Sequence, residues 1–157
     1  MYYEEVFKAL NKNRIKYLVI GGIAVNLYGL HRLTGDLDLM IDVSEKSLED
    51  FIRVVKKLGY RPKAPIHKWK NLTALTFYHK TNEFKQIDIF LKNPIDFNKA
   101  YKSRKIFRVN KLNISCISFE DLIKLKKKSD RERDLIDIGS LERIKKLEEG
   151  KNEKKKN

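Results

Sequence analysis

The stretch "VIGGIAVNLYGLHRLTGDLDLMID", residues 19–42, determines how this chain folds. It begins inside an apolar run that starts at Tyr17 and is typical of a buried strand, and Gly21 and Gly22 follow that run directly. Apolar residues then recur up to Gly29 in the pattern of a mostly buried helix. The first half of the stretch therefore predicts a strand, a Gly-Gly turn and a helix in immediate succession.

The second half of the stretch alternates between acidic and apolar residues. Leu37 and Leu39 fall on one face of a predicted strand, and Asp36 and Asp38 fall on the other. Residues two apart on a strand lie roughly 6.5 Å apart and point the same way. The two carboxylates can therefore share a cation, although an Asp-x-Asp taken alone is more often a pair of solvated residues on a half-exposed strand.

A third carboxylate with the same pattern lies further along the chain. The segments "LTALTFYH", residues 72–79, and "FKQIDIFL", residues 84–91, predict a β-hairpin whose second strand places Asp88 opposite Ile87 and Ile89. Neighbouring carboxylates stay ionised at their normal pKa values only when a cation neutralises them, and oxygen-only ligands suit Mg²⁺ or Mn²⁺. We therefore expect a metal site formed by Asp36, Asp38 and Asp88.

The Gly-Gly pair predicts a second part of the same site. Glycine lets a backbone approach a phosphate closely, and the N-terminus of the following helix supplies free N–H groups and partial positive charge. A tight bend between a packed strand and helix is the commoner role of such a pair taken singly. Its combination with the acidic residues indicates that Gly21 and Gly22 bind the phosphates of a nucleoside triphosphate.

These motifs together resemble the signature of the polymerase-β-like nucleotidyltransferase superfamily, which has Gly-Gly or Gly-Ser, an interval, Asp-x-Asp, and a third Asp on a neighbouring strand. The interval here is residues 23–35, and Asp88 supplies the third carboxylate. The resemblance covers residues 17–91. It implies an α+β fold with a mixed β-sheet and the transfer of a nucleoside monophosphate to a hydroxyl, with release of pyrophosphate.

The superfamily resemblance also implies the catalytic roles. Two metal ions would be held about 3.5 to 4 Å apart, as in other two-metal sites. Asp36 and Asp38 would bind both ions, and Asp88 would hold the catalytic one and help to deprotonate the acceptor. Gly21 and Gly22 would position the triphosphate.

A narrower resemblance links the chain to small prokaryotic nucleotidyltransferases of the AbiEii abortive-infection toxin type. They share an Arg-x-Thr before Asp-x-Asp, here Arg32 and Thr34, and a C-terminal helical Lys, here Lys126. A motif with the pattern Arg-x-Lys-Asp-x-x-Asp follows that Lys, and this chain matches it except that Arg133 stands where Lys is usual. The chain is much shorter than the full-length toxins, so a place in a toxin–antitoxin pair stays open.

The narrower resemblance assigns three further residues to the triphosphate. Arg32 suits it because a guanidinium binds phosphate oxygens in a bidentate way, whereas its alternative role is a surface charge. Thr34 either takes part or only favours the strand. Lys126 either reaches a phosphate or belongs to a solvated face with the neighbouring lysines.

The chain carries a large positive charge. Thirty-five Lys and Arg against twenty-one Asp and Glu leave a net charge of +14, which favours polyanions such as nucleic acid or an acidic membrane surface. The alternative is that the lysines only keep the protein soluble, and a single glutamine, Gln86, fits a heat-adapted thermophile surface rich in Lys and Glu. The content of 41% hydrophobic residues predicts a folded globular protein.

The expected organisation is one domain, with four or five strands and helices mainly on one side of the sheet. We expect a nucleotidyltransferase core over residues 1–118, a helical segment over residues 119–148 packed on it, and a disordered basic tail over residues 149–157. Cys116 is the only cysteine, and no stretch resembles a secretion signal or a membrane span, so we expect a cytoplasmic protein.

The acceptor is not identified by the sequence. An RNA 3′ end, a protein hydroxyl and a small molecule such as an antibiotic all fit the same core, and the positive charge favours RNA. The alternative function is a binding module, in which a catalytically silent nucleotidyltransferase fold holds nucleic acid or a partner protein. The intact set of three aspartates argues for the enzyme.

Overall fold

The computed structural model describes residues 2–156 and builds them around one seven-stranded mixed sheet. The seven strands are β1 (Tyr17–Ile20), β2 (Asp36–Ile41), β3 (Tyr60–Pro62), β4 (Ala74–His79), β5 (Asn82–Phe90), β6 (Lys105–Val109) and β7 (Leu112–Cys116). The helices are α1 (Glu4–Lys12), α2 (Gly21–Leu27), α3 (Glu45–Lys57), α4 (Phe97–Lys102), α5 (Phe119–Ser129) and α6 (Glu132–Lys156), with a 3₁₀ helix at Ile66–Asn71. The strand order across the sheet is β3-β4-β5-β2-β1-β7-β6.

The centre of the sheet brings the predicted motifs side by side. Strand β1 is buried along its whole length, runs antiparallel to β2 and is followed at once by α2. Strand β2 pairs in parallel with β5, although the two are far apart in the sequence. The unit of strand, Gly-Gly and helix is confirmed, and so is the hairpin of β4 and β5.

Helices cover both faces of the sheet, so the expectation that they lie mainly on one side is wrong. On the apolar face, Phe7 of α1 contacts Tyr17, with ring centres 5.9 Å apart, and Phe51 of α3 contacts Phe77 at 5.8 Å. The acidic face is partly covered by α5, whose Leu122 lines a cleft with the acidic residues of β2 and β5. The alternation of acidic and apolar residues thus separates a core face from a face that leaves room for a ligand.

The sheet is wider than the four or five strands expected. The connection after α3 contributes the edge strand β3 and the 3₁₀ helix. On the other side, β7 pairs in parallel with β1 and carries the β6–β7 hairpin into the same sheet. The pairing of β7 with β1 joins segments distant in sequence, which local hydrophobic patterns do not report.

The C-terminal segment consists of two helices that meet at Asp130. Ser118 caps α5 by accepting a hydrogen bond from the backbone N–H of Asp121 at 3.1 Å, as its position predicts. Asp130 has a left-handed backbone conformation, with φ at 51°, and ends the helix. Helix α6 then continues to Lys156 as an exposed extension rich in good helix formers, over most of the residues expected to form a disordered tail.

Asn157, the last residue of that expected tail, lies outside the described residues, and the division into a core and a helical segment at residue 118 stays a prediction. No helix within residues 2–156 is both long enough and apolar enough to cross a membrane.

Candidate active site

Two of the three predicted catalytic carboxylates lie directly beside each other. Asp38 of β2 and Asp88 of β5 are partners in the parallel register, and neighbouring strands lie about 4.8 Å apart. Asp36 is one pleat further along β2, and its partner on β5 is Gln86. The three acidic residues share one face of the sheet, but only Asp38 and Asp88 stand opposite each other.

The electrostatics of this pair differ from those of a solvated Asp-x-Asp. Burial, followed by the charges of Asp88 and Asp36, raises the pKa of Asp38 to about 7. Burial and the charge of Asp88 also raise the pKa of Asp36. The positive charge of Arg131 lowers the pKa of Asp38 and offsets only part of this effect. The two strands thus place negative charges together without a matching number of cations.

Asp88 is held by hydrogen bonds from two residues that the sequence patterns did not single out. Thr76 of β4 donates its hydroxyl to Oδ1 of Asp88 at 2.6 Å, and Gln86 donates its amide to the two carboxylate oxygens at 3.2 and 3.0 Å. The same amide lies 3.5 Å from Oδ2 of Asp36. The donors fix the direction of Asp88, and Gln86 bridges the carboxylates on either side of it.

The predicted metal site is only partly assembled. Carboxylate oxygens that repel one another are the ligands that Mg²⁺ and Mn²⁺ prefer, so the chemistry of Asp38 and Asp88 fits a hard divalent cation. However, no three His, Cys, Asp or Glu side chains within residues 2–156 converge closely enough to hold one metal ion. Asp36 is exposed at the edge and is joined to the pair through Gln86.

The Gly-Gly turn passes so close to these side chains that a Cβ atom on either glycine would force a neighbouring side chain to shift. Gly21 has φ at +65°, and a Cβ atom there would lie 2.9 Å from Cβ of Asp38. A Cβ atom on Gly22 would lie 2.6 Å from the hydroxyl oxygen of Thr34 and 3.5 Å from Nη2 of Arg32. Gly22 therefore packs directly against Thr34 and lies next to Arg32, the residues predicted to join the glycines at a triphosphate.

Arg32 is held at both of its ends. The side chain of Asn26 in α2 accepts a hydrogen bond from the backbone N–H of Arg32 at 3.1 Å and donates one to its carbonyl at 2.9 Å. Nη1 of the guanidinium forms an ion pair of 3.1 Å with Oδ2 of Asp137 in α6. Nε is buried and has no hydrogen-bond partner within residues 2–156. A mere surface charge would not be fixed in this way.

Lys126 is buried rather than part of a solvated lysine face. Its side chain is 6% exposed, and its ammonium lies 3.0 Å from Oδ1 of Asp134 and 2.9 Å from Oδ2 of Asp137. Burial alone would raise the pKa of Asp134, but hydrogen bonds from Ser129 and Lys126 outweigh burial and lower it. Lys126, Asp134 and Asp137 thus form a charged cluster, which the ion pair between Asp137 and Arg32 connects to the predicted phosphate site.

A cleft of about 240 Å³ lies between the acidic face of the sheet and α5. Gly21, Asp38, Asp88 and Lys126 all line it, together with an apolar wall that includes Leu122 and with Arg131 at its end. Gly22, Arg32 and Thr34 lie beside this cleft without lining it, and Asp36 lines a separate, more open groove.

Comparison with protein families places the whole chain in one family. The model described as "Nucleotidyl transferase of unknown function (DUF2204)" matches residues 1–156. A comparison with curated proteins gave no match.

Solved structures share the fold at low sequence identity. The lincomycin-bound lincosamide antibiotic adenylyltransferase LnuA is 20% identical, covers 89% of this chain and 94% of its own, and superposes with a TM-score of 0.65. An antigenic nucleotidyltransferase-like protein from Paracoccidioides brasiliensis is 17% identical over 87% of this chain and 72% of its own, with a TM-score of 0.62. ANT(2")-Ia in complex with adenylyl-2"-tobramycin is 15% identical over 98% of this chain and 96% of its own, with a TM-score of 0.60. The expected α+β nucleotidyltransferase fold is confirmed.

Proposed function

We propose that this chain, which belongs to the nucleotidyl transferase family DUF2204, moves a nucleoside monophosphate from a nucleoside triphosphate to a hydroxyl acceptor. The observation that carries the proposal is the register of Asp38 and Asp88, which places two mutually repelling carboxylates beside the Gly-Gly turn. A structural pair of aspartates would be neutralised by an adjacent Lys or Arg. These two instead line a cleft large enough for part of a substrate.

The triphosphate binds along the Gly-Gly turn, next to Thr34 and Arg32. Without a Cβ atom, the backbone of Gly21 and Gly22 lets phosphate oxygens approach, and the hydroxyl of Thr34 lies against Gly22. Arg32 has Nη2 near Gly22 and also has an unpaired Nε, so its guanidinium retains donors for phosphate after pairing with Asp137. Glycines and guanidinium together orient the α-phosphate towards Asp38.

A divalent cation, Mg²⁺ or Mn²⁺, is the cofactor that suits this set of oxygen ligands. Asp38 and Asp88 would hold it, and Asp36, which Gln86 joins to the pair, would add a third carboxylate from the edge of the site. When bound, it supplies the positive charge that neutralises the phosphates and the leaving pyrophosphate. The raised pKa of Asp38 supports this assignment, because a neighbouring cation stabilises the ionised carboxylate against burial and against the charges of Asp88 and Asp36, which together cause the shift.

The chain's own residues account for the transfer step. The acceptor oxygen forms a bond to the α-phosphorus, the bond from that phosphorus to the bridging oxygen breaks, and pyrophosphate leaves. Asp88 lies in the cleft with its direction fixed by Thr76 and accepts the proton that the acceptor hydroxyl gives up. Arg32 holds the triphosphate in line while this occurs.

The acceptor carries a hydroxyl, and two properties bear on its class. LnuA is an antibiotic adenylyltransferase, and ANT(2")-Ia was solved with an adenylylated tobramycin, which supports a small molecule as acceptor and ATP as donor. The net charge of +14 supports an anionic acceptor such as an RNA end, and a protein hydroxyl fits the same cleft. The AbiEii resemblance, carried by Arg32, Thr34 and the C-terminal motif, would place the chain in a toxin–antitoxin pair.

Thermal unfolding with a panel of triphosphates tests the donor half of the proposal. A ligand at a hundred times its dissociation constant stabilises the folded state by about 2.7 kcal/mol, so a triphosphate with Mg²⁺ or Mn²⁺ should raise the melting temperature by several degrees. Addition of EDTA should remove most of the shift. If no nucleotide produces a metal-dependent shift, the site assignment is wrong.

A further inference from the structure

The charged cluster between α5 and α6 is buried to an extent unusual for ionised side chains. Each of the residues Lys126, Asp134 and Asp137, taken with its backbone, exposes no more than 5% of its surface. Ion pairs of 2.9 to 3.0 Å join Lys126 to the two aspartates. Buried charges are rarely the most stable solution for packing alone, since an apolar set of similar volume often does as well or better. A functional role would therefore account for a buried cluster of this kind.

Asp137 connects this cluster to the predicted phosphate site. Its Oδ2 oxygen accepts a hydrogen bond from Nζ of Lys126 at 2.9 Å and forms an ion pair of 3.1 Å with Nη1 of Arg32. Arg32 thus contacts the C-terminal helix with one nitrogen, while Nη2 lies close to Gly22, 3.5 Å from where a Cβ atom would stand. Since an arginine side chain is long and flexible, the ion pair selects one of its many conformations.

The other end of Arg32 is fixed from α2. Asn26 exchanges two hydrogen bonds with the backbone of Arg32, through its amide nitrogen at 2.9 Å and its amide oxygen at 3.1 Å. Because α2 begins at Gly21, Asn26 ties Arg32 to the helix that carries the Gly-Gly turn. The backbone and the guanidinium of Arg32 are thereby both held in place relative to the predicted phosphate site.

We propose that Asp137 and Asn26 are positioning residues that hold Arg32 in the orientation that binds the triphosphate. Lys126 acts on the triphosphate indirectly in this arrangement: its ammonium is paired with Asp134 and Asp137, and its charge keeps Asp137 in place beneath Arg32. The inference rests on the proposed function, because it assumes that Arg32 binds phosphate. It goes beyond that function in assigning the C-terminal motif to the preorganisation of Arg32 rather than to substrate contact.

A double-mutant cycle between Arg32→Ala and Asp137→Asn tests the coupling. The dissociation constants of Mg-ATP and of inorganic tripolyphosphate are measured by calorimetry for wild type, both single variants and the double variant. Each single variant should bind about tenfold more weakly, the effect of one charge-assisted hydrogen bond. The double variant should bind no more weakly than Arg32→Ala alone, because Asp137 has nothing to position once the guanidinium is gone.

Two further variants separate positioning from folding. Asp137→Glu, which restores the carboxylate, should recover part of the lost affinity. Asn26→Ala removes the contact at the other end of Arg32 without disturbing the buried ion pairs, so it tests the same arrangement even where Asp137→Asn does not fold. The matched control is Asp50→Asn, which breaks a carboxylate–arginine pair of the same 3.1 Å length with Arg53 on α3 and should leave both affinities unchanged.

The outcomes distinguish this inference from the proposed function. Losses that add up in the double variant, or an Asn26→Ala variant that binds like wild type, overturn the positioning role while leaving triphosphate binding intact. Binding of tripolyphosphate that depends on Arg32 and Asp137, without binding of any nucleoside triphosphate, supports the positioning and overturns the nucleotidyl transfer. A wild-type protein that binds neither probe overturns both.

Discussion

Asp38 and Asp88 are direct partners in the register of two parallel strands, and neither forms an ion pair with any residue between 2 and 156. Residues with like charge at this separation repel each other, and the repulsion is stronger because Asp38 is partly buried. Burial of Asp38 is the larger cause and this repulsion the second, and together they raise the pKa of Asp38 to about 7, well above the usual value for an aspartate. The stability of the metal-free protein should therefore depend on pH through the titration of Asp38.

The first prediction concerns that dependence. In the unfolded chain an aspartate titrates near pH 3.9, whereas Asp38 in the folded chain titrates near 7. Between these values the folded state binds more protons, so its stability should fall as pH rises from about 4 to 7, by at most about 4 kcal/mol. The free energy of unfolding, measured with urea in the presence of EDTA at a series of pH values, checks this.

Asp38→Asn is the comparison for the pH series. The amide cannot ionise, so the variant should lose the decrease in stability over this window and be more stable than wild type at pH 8. Parallel curves for the two proteins across the whole window would contradict the raised pKa of Asp38.

The second prediction concerns the Asp-x-Asp pair. The double variant Asp36→Asn with Asp38→Asn should fold. It should lose the metal-dependent shift in melting temperature that a triphosphate gives wild type, which corresponds to a stabilisation of about 2.7 kcal/mol at a hundred times the dissociation constant. The metal-free variant should melt at the same temperature as wild type or higher, because repulsion between carboxylates is removed. If the pair instead stabilises the core, the variant will be less stable by several kcal/mol.

The residues that the sequence identified lie in short contiguous motifs. Gly21, Gly22, Asp36 and Asp38 belong to one strand–helix–strand unit whose geometry follows from local periodicity. Asp88 was found because its strand shows the same alternation. Such residues can be placed on a face of a strand before any tertiary contact is known.

The contacts that sequence reasoning missed join strands and helices whose relative positions cannot be read from local patterns. Thr76 reaches Asp88 only through the alignment of β4 with β5, which shifts at an irregularity between Tyr78 and His79. Asp137 meets Arg32 because α6 turns back after Asp130 and packs on α5. The motif containing Asp137 was visible in the sequence, but its contact with Arg32 required the tertiary structure.

The third prediction tests the close approach at the Gly-Gly turn. Gly22→Ala would place a methyl group 2.6 Å from the hydroxyl oxygen of Thr34, and it would displace Thr34 and block the backbone approach assigned to a phosphate. Triphosphate affinity should fall by at least tenfold, roughly 1.4 kcal/mol, as measured by calorimetry. Gly139→Ala on α6 is the control, since its new methyl group meets no atom within 4 Å, and it should bind normally and gain up to about 1 kcal/mol of stability. Normal binding by Gly22→Ala would mean that phosphate does not lie beside Gly22.

The fourth prediction concerns the orientation of Asp88. Thr76→Val keeps the shape of the side chain but removes the hydroxyl that donates to Oδ1 at 2.6 Å. Loss of a hydrogen bond to a charged group corresponds to roughly 1.5 to 3 kcal/mol, so kcat should fall by about ten- to a hundredfold while KM for the triphosphate changes little. The control is Thr73→Val on the loop before β4, which should keep the wild-type kcat. A change in KM alone would assign Thr76 to triphosphate binding instead.

The last prediction separates an enzyme from a binding module. Wild type incubated with α-labelled triphosphates should transfer label to an acceptor in a mixture of total RNA, cell extract and antibiotics that carry hydroxyl groups. Asp88→Asn should bind triphosphate nearly as well and should transfer no label, because Asp36 and Asp38 still support the nucleotide while the residue that accepts the proton is lost.

The fate of the label then identifies the acceptor. The net charge of the chain favours RNA, whereas the similar solved structures favour a small molecule. Label that RNase removes indicates an RNA end, label that protease removes indicates a protein hydroxyl, and label in a small product that resists both indicates an antibiotic-like acceptor. The positive charge predicts that transfer to RNA weakens steeply as salt is raised, whereas transfer to an uncharged small molecule should depend on salt far less. Wild-type protein that binds triphosphate but labels nothing in any mixture would favour a catalytically silent fold whose basic surface holds a partner.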